Sequence, residues 1–251
     1  MHAFQWNTAT ESWSPTTPEA VPAAPCHRAE SWLHTGSAPR GFHLHQARFG
    51  PAPAALWQET LRVLSHYAPD TPVFPRVAEF GNTFYLHIRP APTLREHTVL
   101  TWFNHNEPAD PRTQPLRKGP DLRALGVYRT QHLIPGTHDV ILGDFAETTT
   151  GALVGWKDRT LVVPTSVHLP STTQQLVTEH ARKLGISVAD GPLGPDQPLW
   201  FLNAVQGISP VTALITPAGA RIEIPQHPDV ATWREWWRRD DPGVSRARTW
   251  F

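Results

Sequence analysis

Cysteine is nearly absent. Cys26 stands alone, which excludes an internal disulfide and any zinc site built from several thiolates. Lysine is almost as scarce: only Lys118, Lys157 and Lys183 can supply an amine, and the other basic residues are arginines. Excess charge is missing as well. Lys plus Arg is 22 and Asp plus Glu is 22, a balance that argues against nucleic acid or an anionic membrane as the main partner. No stretch approaches the ~20 apolar residues of a membrane span. The first thirteen residues show no basic start followed by an apolar run, so no secretory leader is expected. A soluble cytoplasmic protein is the expectation.

What the chain does contain is enough to fold. Of its 251 residues 39% are hydrophobic, with eleven Trp and ten Phe, which is not the profile of a disordered chain. Twenty-seven prolines interrupt it often, so short elements and many loops are expected. The spacing predicts a hairpin around His2–Trp6 and Ser12–Trp13. Ser31–His34 and Phe42–His45 read as short strands. Leu56, Trp57, Leu61 and Leu64 recur at helical spacing within residues 53–67. Three strands follow between Val73 and Phe103. Residues 104–117 are polar, proline-rich and aperiodic, as a linker should be. Beyond them a helix is predicted over Gly119–Leu133, then strands at Asp139–Leu142, Ala152–Trp156 and Thr160–Val163. Ser171-Thr172-Thr173-Gln174 fits a helix capping box, with Gly185 as the stop. Further strands are expected at Ile186–Val188, Leu199–Asn203, Val211–Ile215 and Arg221–Ile224, and a last helix over Val230–Arg239. Trp233, Trp236, Trp237 and Trp250 near the C-terminus are read as core or dimer packing. The pattern is a mixed α/β protein in two halves: residues 1–104, a linker at 105–117, and residues 118–251.

Four local features could carry chemistry, and each has an ordinary alternative. His43 and His45 would share one strand face as a metal pair, but no third ligand lies nearby, so no metal is assigned; Arg48 could hold an anion or be a surface arginine. Lys118, just before a helix, could be an amine nucleophile if desolvated, because burial lowers an ammonium pKa; a solvated lysine is the alternative. Glu147, followed by Thr148, Thr149 and Thr150, could pair with a protonated ring nitrogen or simply form a turn. The helix start at Ser171–Thr173 offers free N–H groups to an anion, though capping alone accounts for it.

In order, these features resemble class IV (fold-type IV) pyridoxal-phosphate (PLP) enzymes, the group of branched-chain aminotransferases, D-amino-acid aminotransferases and 4-amino-4-deoxychorismate lyases. His45-Gln46-Ala47-Arg48-Phe49 matches the family's His-x-x-Arg-Leu/Phe, and Lys118 its Schiff-base lysine. Glu147 through Val154 matches its glutamate and following strand. Leu169-Pro170-Ser171-Thr172-Thr173 matches its helix start, and Phe201 through Val211 its last motif. The resemblance implies a small N-terminal α/β domain and a larger C-terminal pseudo-barrel domain. It implies Lys118 and Glu147 as catalytic residues, with Glu147 on the pyridine nitrogen. Arg48, Ser171, Thr172, Thr173, Asn203 and Ala204 would hold the rest of the cofactor. Ser31, Arg76 and Arg89 are the substrate candidates, with Arg95 beside them. The partners implied are a small-molecule amino substrate and a second copy of the chain. The last motif and the chain length favour the lyase, which releases pyruvate and leaves 4-aminobenzoate for folate biosynthesis. A transaminase and a PLP-binding relative without turnover are the other readings. The chain departs from the pattern at Ser171, Gln174 and Ala152, and Arg123 is the nearest polar substitute for a tyrosine after Lys118.

Overall fold

The computed structural model describes residues 1–239 apart from Ser37, Asp70, His105 and Asn106. Trp250 and part of the 105–117 linker therefore lie outside the described residues. Two compact units share the chain. Unit 1 contains Met1–Thr93, Arg117–Pro120 and the end of the last helix from Trp236; unit 2 contains Leu94–Leu116 and Asp121–Glu235. The division thus falls at Thr93–Leu94, ahead of the polar linker expected at 105–117. Lys118 returns to unit 1, although it was expected to open the second half.

Unit 1 is built on a five-stranded antiparallel sheet. Its strands are β1 (His2–Asn7), β2 (Ser12–Thr16), β3 (Arg28–Ser31), β4 (Arg76–Phe80) and β5 (Thr83–Ile88), in the order β2-β1-β5-β4-β3. The first strand pair is the predicted hairpin. The strand expected at Ser31–His34 instead ends at Ser31. Two helices, α1 (Phe42–Phe49) and α2 (Leu56–Tyr67), complete the unit. Aromatic rings bind them to the sheet: Trp57 stacks edge-on against Phe49 at 5.2 Å and Phe42 at 5.7 Å, beside the fully buried Trp32. Trp13 donates its indole N–H to Thr60 on α2 at 3.0 Å.

The strand expected at Phe42–His45 is a helix, and the reason lies outside the segment. Its alternating His43-Leu44-His45 also suits a strand. A buried carboxylate on β3 takes hydrogen bonds from both His45 and Arg48. Residues three apart share a face only in a helix; in a strand they point to opposite faces. His43 is consequently exposed while His45 is buried, so the two do not form a metal pair.

In unit 2, six strands close into a ring: β6 (Thr98–Thr101), β7 (Asp139–Leu142), β8 (Glu147–Thr148), β9 (Ala152–Lys157), β12 (Leu199–Asn203) and β13 (Gly207–Ile215). The order around it is β9-β12-β13-β6-β7-β8, with β8 pairing back to β9. Strands β10 (Thr160–Pro164), β11 (Ser187–Gly191) and β14 (Arg221–Glu223) extend the sheet. This is the expected sheet barrel. Closure removes edges that would otherwise expose unpaired backbone groups. Its core includes Leu100, Ile141, Leu153, Phe201 and Leu214, all essentially inaccessible. The helices are α3 (Leu122–His132), α4 (Thr172–Lys183) and α5 (Val230–Arg239). Trp233 on α5 is buried against Trp156 and Trp200 at 5.5 and 5.3 Å. Trp236 and Trp237 instead lie under the Arg40 guanidinium at 4.5 and 5.0 Å. No described helix is long and apolar enough to cross a membrane.

Lys118 and Gly119 add themselves to the free edge of β3. The Ala29 N–H donates to the Lys118 carbonyl at 2.8 Å. Gly119 has φ +147°, and a Cβ there would fall 2.5 Å from the Arg28 α-carbon. Only glycine allows this approach. Gly119→Ala should therefore cost at least about 1–3 kcal/mol through backbone strain and clash, read as a lower midpoint of urea unfolding.

Candidate active site

Glu30 is the centre of the unit 1 chemistry. It is fully buried and sits on the sheet face that α1 covers. Arg48 donates to it twice, from Nε at 2.6 Å and Nη2 at 2.8 Å. His45 faces it through Nδ1 at 2.7 Å. Lys118 Nζ is 3.9 Å from the same carboxylate. Burial alone would raise the Glu30 pKa. The charges of Lys118 and Arg48 and the hydrogen bonds from Arg48 and His45 outweigh that, and hold it at about 2. Burial lowers the His45 pKa despite Glu30, so the neutral ring donates from Nδ1. Lys118 is pulled down to about 8, first by burial, then by Arg48, Arg76 and Arg89, with Glu30 opposing. A buried carboxylate that keeps three basic groups in register is what makes a low-pKa amine possible here without an uncompensated charge.

On the opposite sheet face the ladder lines up a second set. Ser31 pairs with Arg76 across β3–β4, and Arg76 pairs with His87 across β4–β5. Opposed residues point to the same side, and Arg89, two residues after His87, joins them. Arg89 Nε donates to the Phe74 carbonyl at 3.1 Å, and its guanidinium lies over the Phe74 ring. Arg76 Nε is buried without a hydrogen-bond partner, as is His87 Nε2. Among the described residues no carboxylate forms an ion pair with Arg76 or Arg89. Burial and the Arg76 charge bring Arg89 down to about 10, and burial lowers Arg76 too. Two crowded guanidiniums and a neutral histidine without an acid are disposed to bind an anion.

In unit 2, the three segments singled out in the sequence are tied to one another. Asp139, fully buried, accepts hydrogen bonds from Val140 N–H at 2.8 Å, Thr148 Oγ1 at 2.9 Å and Thr150 N–H at 3.1 Å, and from the Thr149 and Thr150 hydroxyls. This fixes the turn that carries Glu147. The Asn203 amide donates to the Thr150 carbonyl at 3.3 Å, while its oxygen accepts from Val205 and Gln206 N–H groups. That side chain holds two loops together and leaves Ala204 in the turn it shapes. Ser171 is the N-cap of α4 and accepts from Gln174 N–H. The Gln174 side chain does not reach back to close the capping box; it donates to the Leu153 carbonyl at 3.1 Å. Thr172 and Thr173 are buried in the first turn. Glu147 meets Arg112 Nη1 at 2.5 Å. Burial raises the Glu147 pKa, opposed by Arg112, a backbone hydrogen bond at Leu169, and His168.

Comparison with known proteins gives the family and the fold. The family model described as amino-transferase class IV matches residues 53–214, more than half of the chain. The chain belongs to the class IV aminotransferase family. No curated protein matches its sequence. Among solved structures it is similar to a hypothetical aminotransferase from Mycobacterium tuberculosis in its PLP-bound form, at 16% identity and a TM-score of 0.69, covering 94% of this chain and 97% of that one. It is also similar to the 4-amino-4-deoxychorismate lyase from Pseudomonas aeruginosa, at 19% identity and a TM-score of 0.70, covering 86% and 91%. The T.th. branched-chain amino acid aminotransferase, complexed with N-(5'-phosphopyridoxyl)-L-glutamate, gives 13% identity and a TM-score of 0.71, covering 98% and 94%. At such identities the likeness establishes the fold.

Unit 1 thus brings together Lys118, Arg48, Ser31, Arg76 and Arg89; unit 2 brings together Glu147, Ser171–Thr173, Asn203 and Ala204. Arg95 belongs with unit 2, stacked over Phe201 at 4.7 Å. Glu30, Arg112 and Asp139 were not foreseen. Only Glu30 left a trace in the sequence, as a charged residue inside a run that becomes a buried strand.

Removing the Glu30 charge leaves Arg48 and Lys118 unopposed, so Glu30→Gln should cost about 3–5 kcal/mol. The folded pKa of Glu30 is depressed, so its stabilisation is complete above the ordinary carboxylate range and is lost as pH falls through about 2. Urea unfolding at successive pH values should show a shallower loss of stability towards acid in Glu30→Gln than in the wild type.

Proposed function

We propose that the protein is a PLP-dependent 4-amino-4-deoxychorismate lyase, releasing pyruvate and leaving 4-aminobenzoate. Membership of the class IV family makes it a PLP-dependent enzyme. The residues present suit that cofactor. A partly buried amine with a pKa near 8 is uncharged in a useful fraction near neutral pH, as carrying an aldehyde cofactor requires. A buried carboxylate, an arginine and a helix start with two buried hydroxyls suit a pyridine nitrogen and a phosphate.

When bound, the cofactor supplies the electron sink for carbanion chemistry. Lys118 would carry it and would move the proton at the substrate carbon next to the amino group. Glu30 sets the protonation of Lys118 and holds Arg48 rigid. Arg48 in unit 1 would offer a donor to the phosphate, and Ser171, Thr172, Thr173 and the Asn203–Ala204 turn would offer theirs in unit 2. Glu147 keeps the ring nitrogen protonated. Loss of the substrate proton expels pyruvate and lets the ring become aromatic, so no oxo-acid acceptor is needed.

The observation that carries this reading is the acid-free basic face of Ser31, Arg76, His87 and Arg89 in the unit that also holds Lys118. Aminodeoxychorismate bears two carboxylates, which two guanidiniums without an internal acid suit. A branched aliphatic side chain offers them nothing. Ser31, buried on this face, is the hydroxyl that β3 offers to a substrate there. A homodimer, a cytoplasmic location and a role in folate biosynthesis form part of the same proposal. A branched-chain or D-amino-acid transaminase using the same residues is the second reading.

Purified protein loaded with PLP and given aminodeoxychorismate should form pyruvate in a lactate dehydrogenase-coupled assay without any oxo acid. Amino transfer from an ordinary amino acid, with no pyruvate, reverses the ranking. Lys118→Ala should abolish turnover and the covalent adduct trapped by borohydride. Arg89→Gln should raise KM about 10-fold to 100-fold, the worth of one charge-assisted hydrogen bond, with a smaller change in kcat.

A further inference from the structure

The polar stretch before Lys118 looks like a bare connection, yet it delivers one of the least exposed arginines in unit 2. The Arg112 side chain keeps only 7% of its surface, and the Glu147 side chain only 10%. One edge of the guanidinium, Nε and Nη2, is occupied by Asp110 at 2.7–3.1 Å. The other nitrogen, Nη1, reaches Glu147 Oε1 at 2.5 Å and the Val167 carbonyl at 3.1 Å. Arg112 therefore ties the carboxylate strand end to the segment that leads into α4. Asp110 itself is half exposed, so it orients the arginine from the solvent side while Glu147 meets it from the buried side.

We propose that Arg112 is a positioning residue for the PLP reaction, holding Glu147 ionised and fixing which of its oxygens faces the ring nitrogen. Arg112 holds Oε1, and the Leu169 N–H also bonds the carboxylate. Burial by itself would favour the neutral acid, and a neutral Glu147 could not hold a proton on a pyridine nitrogen. The groups that face Glu147 are Arg112, His168 and the Leu169 N–H. Those that face Arg112 are Asp110 and Glu147. Glu107, which faces Asp110, Arg112 and Asp144, is close enough to contribute. The His168 ring is engaged with the Ser166 carbonyl and Gln174, leaving Arg112 as the permanent cation. The inference rests on the proposed role of Glu147 as ring-nitrogen partner.

The test has one arm without cofactor and one with it. In the apoprotein, the Glu147 carboxyl carbon is followed by 13C NMR, assigned with Glu147→Gln, in the wild type and in Arg112→Gln. Its titration midpoint should move upward in Arg112→Gln, return part of the way in Arg112→Lys, and stay near the wild type in Asp110→Asn. An unchanged midpoint in Arg112→Gln overturns the inference. In the PLP-loaded protein, Arg112→Gln should shift the pH dependence of the visible absorption band. It should also lower kcat about 10-fold, one charge-assisted hydrogen bond's worth, with KM nearly unchanged. A fall in melting temperature with the absorption profile, kcat and KM of the wild type would mean a structural role only, and also overturns it. If Glu147→Gln itself leaves the absorption profile unchanged, the assignment of Glu147 to the ring nitrogen fails. The apoprotein arm still reports on the Arg112–Glu147 coupling.

Discussion

A buried carboxylate among basic groups organises unit 1. Glu30 has no water to solvate it, so its charge persists only because Arg48, His45 and Lys118 surround it. The arrangement is reciprocal. Without the carboxylate, two cations would be buried at the covered face of a sheet, which is far more costly than any single contact there. α1 takes its helical form to present His45 and Arg48 together. β3 presents Glu30, and the Lys118 backbone is stitched to the edge of that same strand. The Lys118 amine is thus positioned by main-chain pairing and tuned by burial and side-chain charge.

The two faces of the unit 1 sheet do different work, and strand alternation separates them. Glu30 looks into the covered face, where charges are neutralised internally. Ser31, its neighbour in the chain, looks to the other face, where Arg76 and Arg89 have no internal acid. Evenly distributed charge would have given each arginine a partner. Leaving two guanidiniums uncompensated costs stability, and such costs are concentrated where a ligand supplies the missing partner. Unit 2 handles its acids differently. Asp139 takes hydroxyl and amide donors and a longer ion pair with Arg129 at 3.7 Å, and shapes the turn, whereas Glu147 is held directly by the charge of Arg112.

Much of this was readable from the chain. Scarcity of lysine leaves three amine candidates, and motif order singles out Lys118, which the fold sets beside the buried Glu30. The hairpin, α2, α4 with its Ser171 cap and most barrel strands followed from periodicity and turn residues. The His45/Arg48 spacing was visible as a motif, but its geometry was read through a strand at Phe42–His45, because local alternation was the stronger local signal. The domain boundary was placed in the polar linker, where composition changes most. The compact units divide at Thr93–Leu94 because β6 pairs with β7 and β13.

The sequence by itself determined the family and the order of the motifs, because these depend on residue identity along the chain. The tertiary structure alone decided that Glu30 and Arg112 matter. Their partners are distant: Glu30 meets Lys118, and Arg112 meets Glu147. No local pattern encodes a charge pair between such positions. An acidic residue in a strand and an arginine in a linker are ordinary until burial removes the water that would otherwise have solvated them. Folding then turns two unremarkable charges into the groups that oppose the effect of burial on Lys118 and Glu147.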